Sequence, residues 1–281
     1  MRKIKPAIFY EDGYKGVTLG AVLSPDHTLL IDAPLRPEDG RAWLDSLAAA
    51  GASRKRSLVC LDAHPDRTLG AQALEADTLA QVEVARHVGR RAAVFKTQAQ
   101  EHGSEWEITP GLTGLRFALP RLTFSATMQL HLDGLLALVE PHAGPGPGAS
   151  WLALPQAEVV FVGDALTLGE PPFLAQADIP AWLEQLELLQ SRAYKNFTVV
   201  AGRGGKAEGR DIKQMHSLLK DLQVKLRSLS RSKNRVAEID KLAVRYAERY
   251  KPSARLRTQY VQRLRFGMQE YVERQAGARR S

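Results

Sequence analysis

The apolar run Leu58-Val59-Cys60-Leu61 stops abruptly at Asp62-Ala63-His64-Pro65-Asp66-Arg67, and Gly70-Ala71 follows. A short apolar run bounded by charge reads as a buried strand, and Pro65 cannot donate to its ladder. Two carboxylates, an imidazole and a guanidinium are therefore delivered together at one strand end. Other runs finish in a similar way. Leu29-Leu30-Ile31 ends at Asp32-Ala33-Pro34, Val159 to Val162 ends at Gly163-Asp164, and Phe197 to Val200 enters the Gly-rich turn Gly202-Arg203-Gly204-Gly205.

Between these runs the pattern alternates. Ala7 to Tyr10, Val17 to Leu23 and Leu29 to Ile31 read as strands separated by turns. Pro37 to Gly51 reads as a helix, with Pro37 at its start, Trp43, Leu44 and Leu47 at helical spacing, and Gly51 as its stop. Leu69 to Leu74 opens another helix, and Leu79 to His87 reads as a third. Residues 105 to 140 suggest extended segments, through Trp106, Ile108, Leu112, Leu115 and Phe117 and then Leu130, Leu132 and Val139. Ala143 to Ser150 is a Gly/Pro loop, Trp151 to Leu154 a strand and Pro180 to Gln190 a helix. Interleaved strands and helices over the first 202 residues predict an α/β layered domain.

From Ala207 the pattern becomes helical throughout. Ile212, Met215, Leu219, Leu222, Leu226 and Leu229 follow steps of three and four. Val236, Ile239, Ala243, Tyr246 and Tyr250 repeat the stripe. Pro252 breaks it, and Leu256, Tyr260 and Leu264 begin a further helix. The expected organisation is a body over 1–205 and a helical region over 206–281, packed on the body or on a partner subunit as a homo-oligomer.

Charge follows the same division. Arg203 to Ser281 holds 21 Lys or Arg against 8 Asp or Glu, which leaves 18 against 23 in the rest of the chain. Such asymmetry points to an anionic partner. Arg231, Lys233 and Arg235 cluster between two helices, and Arg255, Arg257, Arg263 and Arg265 follow. They are candidates for nucleic-acid phosphates, with a solvated helical face as the alternative. Cys60 is the only cysteine, so neither a disulfide framework nor a thiolate metal cluster is available. No apolar run approaches the roughly 20 residues of a membrane span, and no long apolar stretch follows the basic start. No membrane association, no signal peptide and a cytoplasmic location are expected.

The strand ends resemble, in order, the metal-binding corners of the metallo-β-lactamase fold superfamily, in particular glyoxalase II-like metallo-hydrolases. Asp62 to Gly70 resembles the His-x-His-x-Asp-His motif and its following Gly. Leu29 to Asp32, Gly144 to Pro155, Val160 to Asp164 and Val199 to Gly204 resemble the family's other corners, and the likeness covers roughly residues 6 to 230. It implies a four-layer αββα sandwich with an appended helical C-terminal region. It also implies that each corner brings a ligand to one edge, where zinc or iron lowers the pKa of a bound water.

Carried over position by position, the ligand set is altered. Asp62 stands at the first His, Arg67 at the His that binds the second metal, Pro145 at the His of the Gly-Pro loop and Arg203 at the last His. His64, Asp66 and Asp164 are kept. The resemblance thus implies two alternatives at the corner. In one, Arg67 and Arg203 replace the second metal as partners of Asp66 and Asp164, leaving a structural remnant and an anion-binding pocket. In the other, Asp62, His64 and Asp164 hold one divalent Zn, Mn or Fe for weak ester or phosphoester hydrolysis. The corner residues also have a structural reading, with His64 hydrogen-bonded to carboxylates and Asp62 and Asp66 capping a helix near Thr68. His142 is a further candidate for the pocket, and the Gly202–Gly205 turn a candidate anion cradle. A non-catalytic nucleic-acid or protein interaction module acting through the basic helices is the reading from another class.

Overall fold

The computed structural model describes residues 1–90, 102–229 and 232–277. Seven strands form the first sheet: β1 (Arg2–Lys5), β2 (Ile8–Glu11), β3 (Leu19–Leu23), β4 (Thr28–Ile31), β5 (Arg56–Cys60), β6 (Asp77–Gln81) and β7 (Leu122–Phe124). They lie side by side in sequence order, antiparallel from β1 to β4 and parallel from β4 to β7. The second sheet holds β8 (Met128–Leu132), β9 (Leu135–Pro141), β10 (Ser150–Leu154), β11 (Val159–Phe161), β12 (Thr198–Val200) and β13 (Lys206–Ala207). Its order is β13-β12-β11-β10-β9-β8, and only β11 and β12 run parallel.

Side-chain alternation explains the layering. Leu29, Ile31 and Val59 face the other sheet and pack with Leu152, Leu154, Val159 and Phe161. Leu30, Leu58 and Cys60, one residue out of phase, face the opposite way. There they meet Trp43 and Leu47 of α1 (Pro37–Ala49). Between α1 and the next long helix lies the one-turn α2 (Pro65–Thr68), and α3 (Val82–Gly89) adds Val84 and Val88 to the same outer layer. A second single turn, α4 (Glu105–Ile108), follows.

On the far side, Trp151, Ala153, Val160 and Val199 pack against α5 (Ile179–Leu189), α6 (Gly209–Leu229), α7 (Arg235–Ala247) and α8 (Ala254–Gly277). Two sheets between two helical layers make the αββα sandwich that the sequence predicts. The stripe from Ile212 to Leu229 is buried in this outer layer, in one cluster with Trp182 and Leu186. Its burial is thus supplied by this chain, on the order of 2 kcal/mol for each large side chain. No helix among the described residues is long and apolar enough to cross a membrane.

Three local expectations are corrected. Leu79 to Gln81 continue a strand, because β6 fills the parallel slot between β5 and β7, and the helix starts only at Val82. Trp106 and Ile108 lie in a helical turn rather than a strand, with Ser104 and Glu107 forming a capping box. The helix after the Asp62–Arg67 corner begins at Pro65, and Ala71–Leu74 is a separate 3₁₀ turn.

Candidate functional site

The corners converge as strand direction requires. β4, β5, β11 and β12 are arranged so that Asp32, Asp62, Asp164 and Arg203 emerge from their C-terminal ends at one edge. Asp32 adopts a left-handed backbone conformation, φ 59°, which Asp tolerates better than most residues. Its Oδ1 accepts the Leu61 N–H at 2.9 Å and its Oδ2 accepts Arg67 Nη1 at 2.6 Å. Asp62 Oδ1 accepts the His64 N–H at 2.7 Å, an Asx turn that sets the corner. His64, not Asp62 or Asp66, caps α2, with Nδ1 accepting the Asp66 N–H at 3.1 Å. The corner closes against the preceding strand exit, since the Ala33 N–H donates to Arg67 O at 2.9 Å. Gly70 is needed just behind it: a Cβ there would lie 1.8 Å from the Pro34 carbonyl oxygen.

Two buried guanidinium groups tie these carboxylates together. Arg67 pairs with Asp32, Asp62 and Asp164. Its Nε lies 2.9 Å from Asp62 Oδ1, close enough for an ion pair but without hydrogen-bond alignment. Arg203 binds Asp164 through both oxygens, Nε to Oδ1 at 3.1 Å and Nη2 to Oδ2 at 3.2 Å. Its Nη1 donates to Asp66 Oδ2 at 2.8 Å, and Nη2 lies 3.3 Å from His64 Nδ1. Asp66 also accepts the Glu105 and Trp106 N–H groups at 3.2 and 2.8 Å, so it caps α4 rather than α2. Arg67 does not reach Asp66; Asp32 and Asp62 are its further partners.

The cluster divides the carboxylates electrostatically. Burial pushes Asp164 up, but Arg203 and Arg67 outweigh it and hold its pKa well below the usual range. Burial also opposes ionisation of Asp66, yet the Arg203 guanidinium and the Trp106 N–H bring it below its ordinary value. Asp62 goes the other way. Burial, with the charges of Asp164 and Asp32, lifts it to about 7 in spite of Arg67. Burial together with Arg203 lowers His64 to about 3, against the pull of Asp66 and Asp164, so the imidazole is neutral. With Nδ1 accepting, the proton sits on Nε2.

These atoms do not suit a divalent ion. His64 Nδ1 is taken by the Asp66 N–H, both Asp164 oxygens by arginine, and Asp62 Oδ1 by the His64 N–H. Among the described residues, no three His, Cys, Asp or Glu side chains are placed to hold a metal ion. The mononuclear set of Asp62, His64 and Asp164 is therefore not assembled as a ligand set. Both Asp164 oxygens, His64 Nδ1 and Asp62 Oδ1 already have partners within the cluster.

A cavity of about 160 Å³ opens above the corner. Asp62, His64, Pro145 and Asp164 lie in its wall, together with His87, His102, Trp106, Phe173 and Phe266. Arg67 and Arg203 do not line it, since both are buried beneath the carboxylates that bind them. They are thus poorly placed to bind an anion in this cavity, contrary to the sequence expectation. The cation in the wall is Arg263 of α8. It is buried, with Nη1 on Glu170 Oε2 at 2.6 Å and Nε on the Gly103 carbonyl at 3.0 Å. The Phe173 ring lies between Arg263 and Arg203, whose Cζ atoms are 4.1 and 4.6 Å from its centroid, and His64 packs 4.3 Å from it.

Several other expectations are corrected. His142 stacks on Trp151 and contacts Gln185 Oε1 at 2.6 Å, away from the cavity. The Gly202–Gly205 turn joins β12 to β13, and two of the N–H groups expected to cradle an anion are taken within the fold, Gly202 on Gly163 O and Gly205 on Thr18 Oγ1. Of the basic cluster, Lys233 is exposed and Arg235 half-buried at the start of α7, and Arg231 lies outside the described residues. Arg257 and Arg265 pair with Glu248 and Asp240. Asp32, Phe173, His87 and His102 were not among the expected site residues, and Arg263 was expected only as a candidate for nucleic-acid phosphates. Only Asp32 carried a usable sequence signal, a carboxylate that ends an apolar run as Asp62 does.

A family model described as the metallo-beta-lactamase superfamily matches residues 17–203. No curated protein matches the sequence significantly. Among solved structures, a metallo-beta-lactamase from Pontibacter korlensis is 19% identical, with TM-score 0.58, over 78% of this chain and 98% of that one. DIM-1 metallo-beta-lactamase is 19% identical with TM-score 0.59, covering 78% and 95%. TMB-1 is 18% identical with TM-score 0.59, covering 79% and 97%. At such identity the likeness is one of fold. The helix that supplies Arg263 and Phe266, α8, lies beyond the matched residues.

Proposed function

The chain belongs to the metallo-beta-lactamase superfamily, and from that premise we propose that it is a pocket protein that binds a small molecule without a divalent metal. One observation carries the reading. Two guanidinium groups, Arg67 and Arg203, are bonded to Asp62, Asp66 and Asp164, at positions where the family likeness places metal ligands. Burying four carboxylates, Asp32 included, needs compensating cations, and planar arginines satisfy several oxygens at once. In this reading the cluster is a structural floor. Ligand contacts fall to the cavity wall above it.

The test is elemental analysis of the purified protein and of protein incubated with Zn(II), Mn(II) or Fe(II), beside the double variant Arg67→His/Arg203→His. The expected result is no stoichiometric metal in the unmodified protein and a gain of metal in the variant. One equivalent or more bound to the unmodified protein, lost on His64→Ala, would overturn the reading in favour of the mononuclear hydrolase.

A second reading rests on the charge of the helical region. Lys233 is exposed in the turn before α7, within a segment whose Lys and Arg outnumber its Asp and Glu by 21 to 8. It is a nucleic-acid or protein contact through that turn, independent of the cavity.

A further inference from the structure

Above the charge cluster the cavity is walled by rings. Trp106 of α4 and Phe266 of α8 both line it, and both are only half-buried. They flank His102, whose ring centroid lies 6.4 Å from that of Trp106 and 4.2 Å from that of Phe266. Phe173 is a third ring in the wall, but it already lies between Arg203 and Arg263. Leu174, Pro145 and Pro147 add apolar surface. Aromatic faces carry negative potential and attract cations.

The same wall holds a half-buried carboxylate without a counter-ion. Glu270 lies one turn beyond Phe266 on α8, so the two share the helix face that lines the cavity. Among the described residues Glu270 forms no ion pair and no hydrogen bond. Arg274, one turn further on, donates to the Ala177 carbonyl and lies over the Tyr271 ring instead. The neighbouring cations are engaged elsewhere. Arg263 pairs with Glu170, while Arg67 and Arg203 are shared among the four carboxyl groups of the floor. Of the histidines in the wall, His64 is neutral, His102 faces Glu107 and His87 has a partner of its own.

These groups discriminate between ligand charges. An anion would meet Glu270 and the ring faces with no unpaired cation in the described wall to receive it. A neutral apolar ligand would strip water from the Glu270 carboxylate and give nothing in its place. An ammonium group would pair with that carboxylate and lie against the rings as well. We propose that the cavity binds a small organic cation, an amine with an apolar body, its ammonium between the Glu270 carboxylate and the rings of Trp106 and Phe266. The proposal rests on the metal-free pocket reading and specifies its ligand class. Glu270 and Phe266, both supplied by the helix beyond the family match, are its specificity-determining residues.

The experiment uses the full-length protein at neutral pH and three probes of similar shape: 2-phenylethylamine, which is protonated there, 2-phenylethanol, which is neutral, and 3-phenylpropionate, which is an anion. Saturable binding is followed by ligand-observed NMR and calorimetry. The amine is expected to bind at least tenfold more tightly than the alcohol, and the anion more weakly than either. Glu270→Gln, on a partly exposed helix face, should weaken the amine tenfold or more and leave the alcohol unchanged, a split that a merely structural change would not give. Equal affinity for amine and alcohol, tightest binding of the anion, or no binding of any probe would each overturn the proposal. So would a Glu270→Gln variant that keeps the amine, or that loses amine and alcohol alike. Metal analysis of the same sample separates the two failures. A metal-free protein without preference for the amine refutes only the ligand class, whereas stoichiometric metal refutes the pocket reading beneath it.

Discussion

Arg67→Met tests whether the buried cluster depends on its cations. The substitution keeps a long side chain but removes the guanidinium from Asp32, Asp62 and Asp164. Asp164 retains its two bonds to Arg203, so the loss falls on Asp32 and Asp62. Each keeps one backbone donor, Leu61 N–H and His64 N–H. Leaving a buried charge without its partner costs about 3–5 kcal/mol. Protonation limits that cost, since each carboxylate gains at most about 1.4 kcal/mol per pH unit by taking up a proton.

The sign of the pH dependence follows. Asp62 already sits at about 7, above its unfolded value, and loss of Arg67 raises it further. A raised acid holds its proton in the folded state after the unfolded chain has released it, so stability falls as pH rises through that interval. Arg67→Met should therefore be destabilised by about 3–5 kcal/mol at pH 8, and by clearly less at pH 5.5. The assay is urea unfolding followed by tryptophan fluorescence, with Trp43, Trp151 and Trp182 buried in the folded state. Adding Asp32→Asn and Asp62→Asn to Arg67→Met should recover at least half of the loss, because no carboxylate is then left unpaired. A change within about 1 kcal/mol at both pH values, or a larger loss at pH 5.5 than at pH 8, would refute the reasoning.

The burial-lowered pKa of His64, about 3, makes the unfolded chain the better proton acceptor below pH 6.5. The stability of the protein relative to His64→Gln should thus fall by about 2–3 kcal/mol between pH 7 and 4.5, read from urea midpoints at the two pH values. Gly70→Ala places a methyl 1.8 Å from Pro34 O and should cost more than about 2 kcal/mol, seen as a large drop in Tm; an unchanged Tm would mean that the corner is not held there. If the basic turn binds nucleic acid, reversing Arg231, Lys233 and Arg235 to Glu should reduce the slope of log K against log salt by about 2.7, and an unaltered slope would remove the turn from consideration.

The strands and their charged ends were legible because period-2 burial and breaker residues are local signals. Leu29 to Ile31 and Leu58 to Leu61 could be read as strands from their apolar runs and charged ends, whereas the common face of Leu29, Ile31 and Val59 follows from the parallel pairing of β4 with β5. The short β6 was not legible, since Leu79 to Gln81 run into a helix with no breaker, and only parallel pairing with β5 and β7 makes them a strand. At the site, the meeting of Arg203 with Asp66 and Asp164 could be expected from the family likeness. The third and fourth partners could not. Arg67 reaches Asp32 across 35 positions, and Arg263 reaches Gly103 across 160. Arg263 was grouped with surface cations because charge alone does not reveal burial, and its burial depends on Glu170 and Phe173, which no pattern in the sequence connects to it.

The Phe173 sandwich joins two regions that the sequence keeps far apart. One of its guanidinium groups belongs to the charge cluster, the other to the last helix, and the ring transmits contact between them. Undocking α8 would strip a face from the ring, open Gly103 and Gln259 to water, and loosen Arg203 over Asp164. Amides of the last helix and of the Asp62–Arg67 corner should then share a single opening event, and hydrogen exchange would find one cooperative unit where the chain suggests a body and an appendage. Shortening the protein at its C-terminus would remove part of the cavity wall and unsettle its floor in the same step.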